Sequence, residues 1–428
     1  KPLADESLRT RAQSTFDGYS MRVAIILAVS LAATAAQAAP LTYPAAVTMA
    51  EGSAPSLEAS ALQLRAAQAA RHGAGRLPDP KLSFGVDNFP VSGPNGGRYS
   101  ADFMTMTRLG VMQDVPNAAR RRAEKAQASA EMGIAEADEA AQRRQVRTAT
   151  ARAWIDLAFA ERKLATLDQL VEGLKALWEG QPAAVASGGS RPGAGLAPTR
   201  LKAQFADRRS ELVADVAKAR AELARWTGDP APTIAGPLPD LTIDAAQLRA
   251  QLDDDPRLAS LRAAARRADA ASSGAKAAEW PDWSFSASYA RRDPMFGDMV
   301  SLGGTVSLPL FKGSRQEPAI AARAAEAARA RVLVEDARRQ LVAALDADLA
   351  EHRARVEKLA QSREVLVPTA EQTAHLEVSS YAATRADYST LVETFTALAD
   401  AKLDEIERQA GVARLSASIL MTYGNSDK

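Results

Sequence analysis

The chain has 428 residues, and its 53 Lys+Arg against 52 Asp+Glu leave a net charge of +1, which excludes the broad basic field a nucleic-acid binder needs. Zero cysteines exclude disulfides, thiolate metal sites, a thiol nucleophile and cysteine lipidation. Three scattered histidines (His72, His352, His375) do not make a His-cluster metal site, and an aromatic content of 5% with long Ala-, Arg-, Leu- and Glu-rich stretches favours long helices over a β-sandwich.

Residues 1–20 are polar and precede a good initiator, Met21, so they read as an extension outside the fold. From Met21 the chain shows Met-Arg, an apolar run Val23–Ala36 and the motif Ala36-Gln37-Ala38. These are the charged region, apolar core and cleavage site of a secretory signal, predicted over 21–38. The apolar run falls short of the about 20 residues a membrane-spanning helix needs. No later segment offers 18 uninterrupted apolar residues, so any membrane passage must use strands. Ala39 stands where a lipoprotein would carry cysteine.

A helix is predicted over about 47–75, followed by alternating runs over 81–91 and 99–115, a very long helix over 118–178 and a shorter helix over 196–227. A Pro/Gly-rich stretch, Gly228–Pro239, then interrupts the pattern. The same programme follows again: a helix over 245–279, alternating runs over 283–292 and 299–311, a long helix over 316–378 and a helix over 385–421. Matching landmarks support a tandem duplication. Pro55-Ser56-Leu57 recurs as Pro256-Arg257-Leu258, Pro78-Asp79 as Pro281-Asp282, and Val115-Pro116 as Leu308-Pro309. Arg144-Gln145 recurs as Arg339-Gln340, Lys163-Leu164 as Lys358-Leu359, and Trp226-Thr227-Gly228 as Thr422-Tyr423-Gly424. The expected organisation is a first repeat over 39–228, a linker over 229–244, a second repeat over 245–424 and a tail over 425–428.

The long helices carry heptads. Leu157, Leu164, Val171 and Trp178 recur every seven residues with Ala160, Leu167 and Leu174 between them, and Leu345, His352, Leu359 and Leu366 do the same with Leu349 and Val356. A helix of about 60 residues is about 90 Å long. The two shorter helices of each half sum to roughly that length, so they can stack end to end as its antiparallel neighbour. Leu82, Phe84 and Val86, with Phe103, Thr105, Thr107, Leu109 and Val111, alternate as a transmembrane strand would. Trp283, Phe285, Ala287 and Tyr289, and Leu302, Gly304, Val306 and Leu308, repeat the pattern. Four strands cannot close a barrel, and an open edge is not tolerated in lipid. Three copies supply twelve strands and twelve helical columns. The fold expected is mostly α with a small β part: coiled-coil helices forming a trimeric α-barrel, and four strands per chain in a shared 12-stranded outer-membrane β-barrel.

The order of signal peptide, Pro-x-Leu helix, Leu77-Pro-Asp-Pro-Lys-Leu-Ser-Phe, Asp102-Phe-Met-Thr-Met and Gly110-Val-Met-Gln-Asp-Val-Pro before a long helix, all repeated, resembles the TolC-like outer membrane factor family, in particular its heavy-metal efflux branch. The resemblance covers essentially the whole mature chain. It implies a homotrimeric channel in the cell outer membrane with an α-barrel projecting into the periplasm, docking on a periplasmic membrane-fusion adaptor and an inner-membrane resistance–nodulation–division (RND) pump. Family helix–turn–helix tips form the periplasmic aperture and meet the adaptor. That role carries over to Gly193, Gly195 and Leu196 in the first half and to Tyr381, Arg385, Asp387 and Tyr388 in the second. Ala197-Pro198 stands where the second half has Asp387-Tyr388, so the two tips are chemically unequal.

No G-x-S-x-G, phosphate-binding Gly loop or H-E-x-x-H is present, so the chain is read as a non-enzyme without cofactors, moving cargo on energy from a partner. Met104 and Met106, two residues apart on an expected strand face, are the candidate metal ligands, since thioethers suit Cu(I). Methionine also fills apolar surfaces. His352, at a seam position, is expected to pack or to face the lumen, and Arg120-Arg121-Arg122 to form a solvated turn or to meet headgroups or the helix rim. The rival cargo classes are drugs and type I secreted proteins. The rival architecture is a soluble periplasmic coiled-coil adaptor.

Overall fold

A computed structural model describes residues 40–175, 196–383 and 385–424. The signal sequence expected over 21–38, residues 1–20, the tail 425–428, Trp178, Gly193 and Gly195 lie outside them. The elements in chain order are α1 (Tyr43–Ser53), α2 (Pro55–Gly73), β1 (Lys81–Asp87), β2 (Met106–Val115), α3 (Ala118–Gly173) and α4 (Ala197–Thr227). The chain continues with α5 (Ala245–Gln251), α6 (Pro256–Ala277), β3 (Trp283–Arg291), β4 (Met299–Val306), α7 (Glu317–Gln361), α8 (Val367–Ala382) and α9 (Tyr388–Tyr423). Among the described residues no helix is long and apolar enough to cross a membrane.

Prolines punctuate the helices where backbone chemistry requires it. Pro55 pushes Ala54 into the extended region and separates α1 from α2, which the periodicity alone ran together. Asp255 does the same before Pro256, and its carboxylate caps α6 by accepting from the Arg257 amide at 2.8 Å. The single long helix expected over 316–378 is instead α7 and α8 joined by a π turn, Ser362–Leu366. The turn sits directly before Pro368, whose missing N–H interrupts the helical ladder.

The long helix α3, about 84 Å at 1.5 Å per residue, is the spine. Along its strand-proximal half α2 and α6 run antiparallel to it, and along its distal half α4 and α9 do. Arg71–Ser129 and Arg147–Glu51 tie α2 and α1 to it, and Arg267–Glu131 ties α6. Arg209–Asp168 joins α4, and Arg414–Asp156 joins α9. The C-terminus of α4 meets the break between α1 and α2 through Ser53, which donates to the Thr227 carbonyl at 3.0 Å. The C-terminus of α9 meets the start of α6 through Arg144 of α3, which donates to the Thr422 carbonyl at 2.7 Å and to Asp255 at 2.9 Å, so pairs of short helices stack end to end beside the long one. At the first of these joints Gly228 adopts φ +74°, a left-handed stop that most side chains disfavour.

The core is distributed along these seams. Leu157, Leu167 and Leu345 are fully buried, as the heptads imply, and so is Ile155 outside them, whereas Val356 and Leu366 of the second heptad series are more than 40% exposed. Trp154 anchors the mid-length of the column: its indole donates to the Leu41 carbonyl at 2.9 Å, and Tyr43 packs edge-on against it. The expected linker 229–244 is held here too, because Leu41 and Ile234 form a parallel bridge.

Candidate functional site

The strands form one antiparallel sheet in the order β1-β2-β3-β4. They are shorter than the alternating runs. β1 stops at Asp87 because Asn88 takes φ +56°, and the segment before β2 is a turn in which Asp102 accepts from the Met104 amide at 2.9 Å. Registers Phe84↔Leu109, Leu109↔Tyr289 and Tyr289↔Val300 place these four side chains in one row. The period of two then puts Leu82, Val86, Val111, Phe285 and Leu302 on the same face. This face is bare: Phe84 is 86% and Leu302 82% exposed. The opposite face carries Ser83, Ser284, Ser286, Ser288, Ser301, Arg108 and the pair Lys81–Asp114 at 2.8 Å, with Arg108 paired to Asp87. An apolar face and a polar, charged face on one sheet is the pattern of a barrel wall between lipid and water. Both edges, β1 and β4, lack a strand partner among the described residues.

The sheet passes into the helices through Asn117. Its side-chain oxygen caps α3 by accepting from the Arg120 amide at 2.8 Å, and its amide nitrogen donates to Asp282 at 2.9 Å and to the Ala277 carbonyl at 3.1 Å. Of the arginine triplet beside it, Arg120 bridges Glu124 and Asp282, so it belongs to the sheet–helix joint rather than to a free turn. Gly75 enters against the Arg121 carbonyl, where an added Cβ would lie 2.5 Å away. Trp280 and Trp283, exposed at this end, stand where an aromatic girdle would.

At the far end, the tip residues separate into two kinds. Tyr388 is 1% exposed and packs edge-on to Tyr381 at 5.8 Å, within the cluster of Leu174, Leu201, Phe205 and Leu391. Burial, helped by Tyr381, pushes its hydroxyl pKa up to about 12. Tyr388 therefore lies beneath the tip surface. Arg385 and Asp387 are exposed, and so is Leu196 at 72%. Asp387 also caps α9, accepting from the Tyr388 amide at 2.8 Å.

Met104 and Met106 do not share a strand face as the sequence suggested, because the strand begins at Met106 and Met104 lies in the preceding turn. Among the described residues no group of three or more His, Asp or Glu converges as a metal site. His352 packs between α7 and α9 with its Nε2 at 2.8 Å from the Ser416 hydroxyl, and burial lowers its pKa. Sequence reasoning missed the ion pairs that lock α3 to α9. Lys163 and Arg414 both reach Glu407, and Arg414 also reaches Asp156. Burial pushes the Glu407 carboxyl up, but the two cations outweigh it and hold the group below its usual range.

No protein-family model and no curated protein matches the chain by sequence. Solved structures do match by shape. CusC superposes with a TM-score of 0.77 at 13% identity, covering 90% of this chain and 92% of that one. The outer membrane protein VceC of Vibrio cholerae gives 0.74 at 19%, covering 90% and 97%. The MtrE outer membrane channel of Neisseria gonorrhoeae, in its open state, gives 0.72 at 14%, covering 90% and 89%. The superpositions run over about nine-tenths of each chain, helices and sheet together, so the chain has the fold of the TolC-like outer membrane factor channels.

Proposed function

We propose that this chain is the outer-membrane channel of a tripartite RND efflux system, passively conducting heavy-metal cations such as copper and silver, or cobalt, zinc and cadmium, to the exterior. The observation that carries this reading is the four-stranded sheet with one bare apolar face, one charged face and two open edges. Such a sheet is stable in lipid only when closed with further copies. A homotrimer supplies twelve strands, and its helical columns continue the same lumen into the periplasm toward an adaptor and a pump. The chain carries out no chemistry of its own in this reading. Water-filled geometry does the transport, and the pump supplies the energy.

The soluble-adaptor alternative leaves the bare apolar sheet face without a purpose. Deleting the gene tests the cargo: sensitivity to metal salts should rise while sensitivity to detergents and dyes stays unchanged. The reverse pattern would assign the channel to drug efflux, and a secretion defect would assign it to type I export. Reconstitution of the purified chain into planar bilayers tests the channel itself, since a trimer must show discrete conductance steps.

A further inference from the structure

The apolar face of the sheet ends on a charge at the hairpin side, remote from the helices. Val86 pairs with Thr107 and Thr107 with Arg291, a row two residues beyond that of Phe84, Leu109 and Tyr289. Period two therefore puts Thr107 and Arg291 on the bare apolar face rather than on the polar one, and both are exposed. Trp283 and Arg291 are the two ends of β3. About 27 Å separates them along the strand, or about 20 Å of membrane depth at a tilt of about 40°. With the helices on the periplasmic side, Trp283 marks the inner boundary of the apolar band and Arg291 the outer one.

Arg291 differs from the other arginines of the sheet in what it touches. Arg108, on the polar face, pairs with Asp87, and Arg292 closes its own loop by donating to the Gly297 carbonyl at 2.7 Å and to the Phe296 carbonyl. Among the described residues Arg291 makes neither an ion pair nor a side-chain hydrogen bond. Asp298, on the same rim, accepts from the Tyr289 hydroxyl and from the Arg292 amide at 3.3 Å and lies beyond ion-pair distance of Arg291. A guanidinium at a lipid boundary without an internal acceptor takes one from outside, either water or an anion of the membrane. Its surroundings favour the anion. The Tyr99 hydroxyl meets the Thr107 hydroxyl, which brings the loop before β2 onto this face and sets an aromatic ring and two hydroxyls beside Arg291. Arg98, next to Tyr99 in the chain, is exposed and likewise has no ion pair among the described residues. Guanidinium forks match phosphate oxygens, and neighbouring hydroxyls with an aromatic ring suit a sugar.

We propose that Arg291, Arg98, Tyr99 and Thr107 form a site on the outer rim of the sheet for the headgroup of a phosphorylated glycolipid. The guanidiniums hold the phosphate, Tyr99 and Thr107 meet the sugar, and the acyl chains run down the bare face over Leu109 and Phe84. The proposal rests on the channel reading, since that orientation puts this rim in the outer leaflet, and it adds a lipid site with a defined headgroup.

The test uses the full-length protein in a non-ionic detergent, with its denaturation midpoint read against added lipid. Diphosphoryl lipid A, a disaccharide carrying two phosphates, should raise the midpoint saturably, and the same lipid stripped of phosphate should not. Phosphatidylglycerol, which offers phosphate without the disaccharide, should act only at about tenfold higher concentration. R291Q should raise the half-saturating concentration of diphosphoryl lipid A about tenfold and R98Q several-fold, with R291K, which keeps the charge but loses the fork, in between. An equal response of R291Q and wild type, or of wild type to the phosphate-free lipid, would overturn the site. An equal response to phosphatidylglycerol would overturn the assignment to a glycolipid. Wild-type protein that forms no conducting pore in planar bilayers would instead remove the channel reading, whereas a conducting wild type whose lipid response survives in R291Q loses the lipid site alone.

Discussion

Arg144 sits where one column of short helices changes over, and its guanidinium is shared between two helix ends. It donates to Asp255 at 2.9 Å, the cap of α6, and to the Thr422 carbonyl at 2.7 Å, in the last turn of α9. The Asp255 side chain is only 3% exposed, and Arg257 also holds its two oxygens at 3.1 and 3.2 Å, so losing Arg144 removes one of two cations from a buried carboxylate and leaves the Thr422 carbonyl without that donor. R144A is expected to destabilise the chain by about 1–3 kcal/mol, read as a lowered denaturation midpoint. R144M/D255N should recover part of that, because the buried charge is gone and asparagine still caps. His352 makes a pH prediction. Burial depresses its folded pKa, so its contribution is fully present above the unfolded value of about 6.5 and is lost as pH falls through the folded value. Below about pH 6.5 the wild type should lose midpoint stability faster than H352Q. Parallel slopes for the two proteins would show that His352 contributes nothing to the pH dependence.

At the level of elements, periodicity over many residues was readable and local chemistry overrode it at the ends. The 3.6-residue pattern placed α3, α4 and α9 to within a few residues, because dozens of side chains vote on one face, but it ran α5 and α6 together across Pro256. The heptads of α3 identified Leu157 and Leu167 as core, and both are fully buried. Alternation found all four strands but overran three of them, since Asn88 and the Asp102 turn end pairing without disturbing the hydrophobic pattern, and β4 makes its last cross-strand backbone bond at Ser307, two residues before Pro309. The π turn before Pro368 was legible only through that proline. The tips were the least readable: a tyrosine beside a turn looks alike whether it lines an opening or, as Tyr388 does, fills a core. The division of the sheet into faces follows from period two and yields a sharp contrast. L109R places a cation amid the apolar face and should cost about 2–4 kcal/mol at mid-bilayer, seen as loss of the protein from the outer-membrane fraction. S286R, on the polar face, should insert normally and narrow the pore, lowering conductance. Normal insertion of L109R would mean that this face does not meet lipid.

In the whole molecule, the sheet fixes one end and the paired tips the other, so the trimer proposed above would bring three copies of the second tip around its axis. The exposed charges there are Arg385 and Asp387, and Asp387 has two separable roles. As a cap it accepts the Tyr388 amide, a task any short acceptor performs, worth about 1 kcal/mol. As a charge, three carboxylates around a narrow opening would favour cations. D387N keeps the acceptor and removes the charge, whereas D387A removes both. If the carboxylates set selectivity, D387N and D387A should lower the cation-to-anion permeability ratio equally in planar bilayers, while only D387A lowers the denaturation midpoint. If D387N conducts like wild type and D387A alone changes conductance, Asp387 acts through the shape of the α9 terminus and the selectivity must be set elsewhere along the lumen. The charged pairs Lys81–Asp114 and Arg108–Asp87 on the polar face of the sheet would then be the groups to vary.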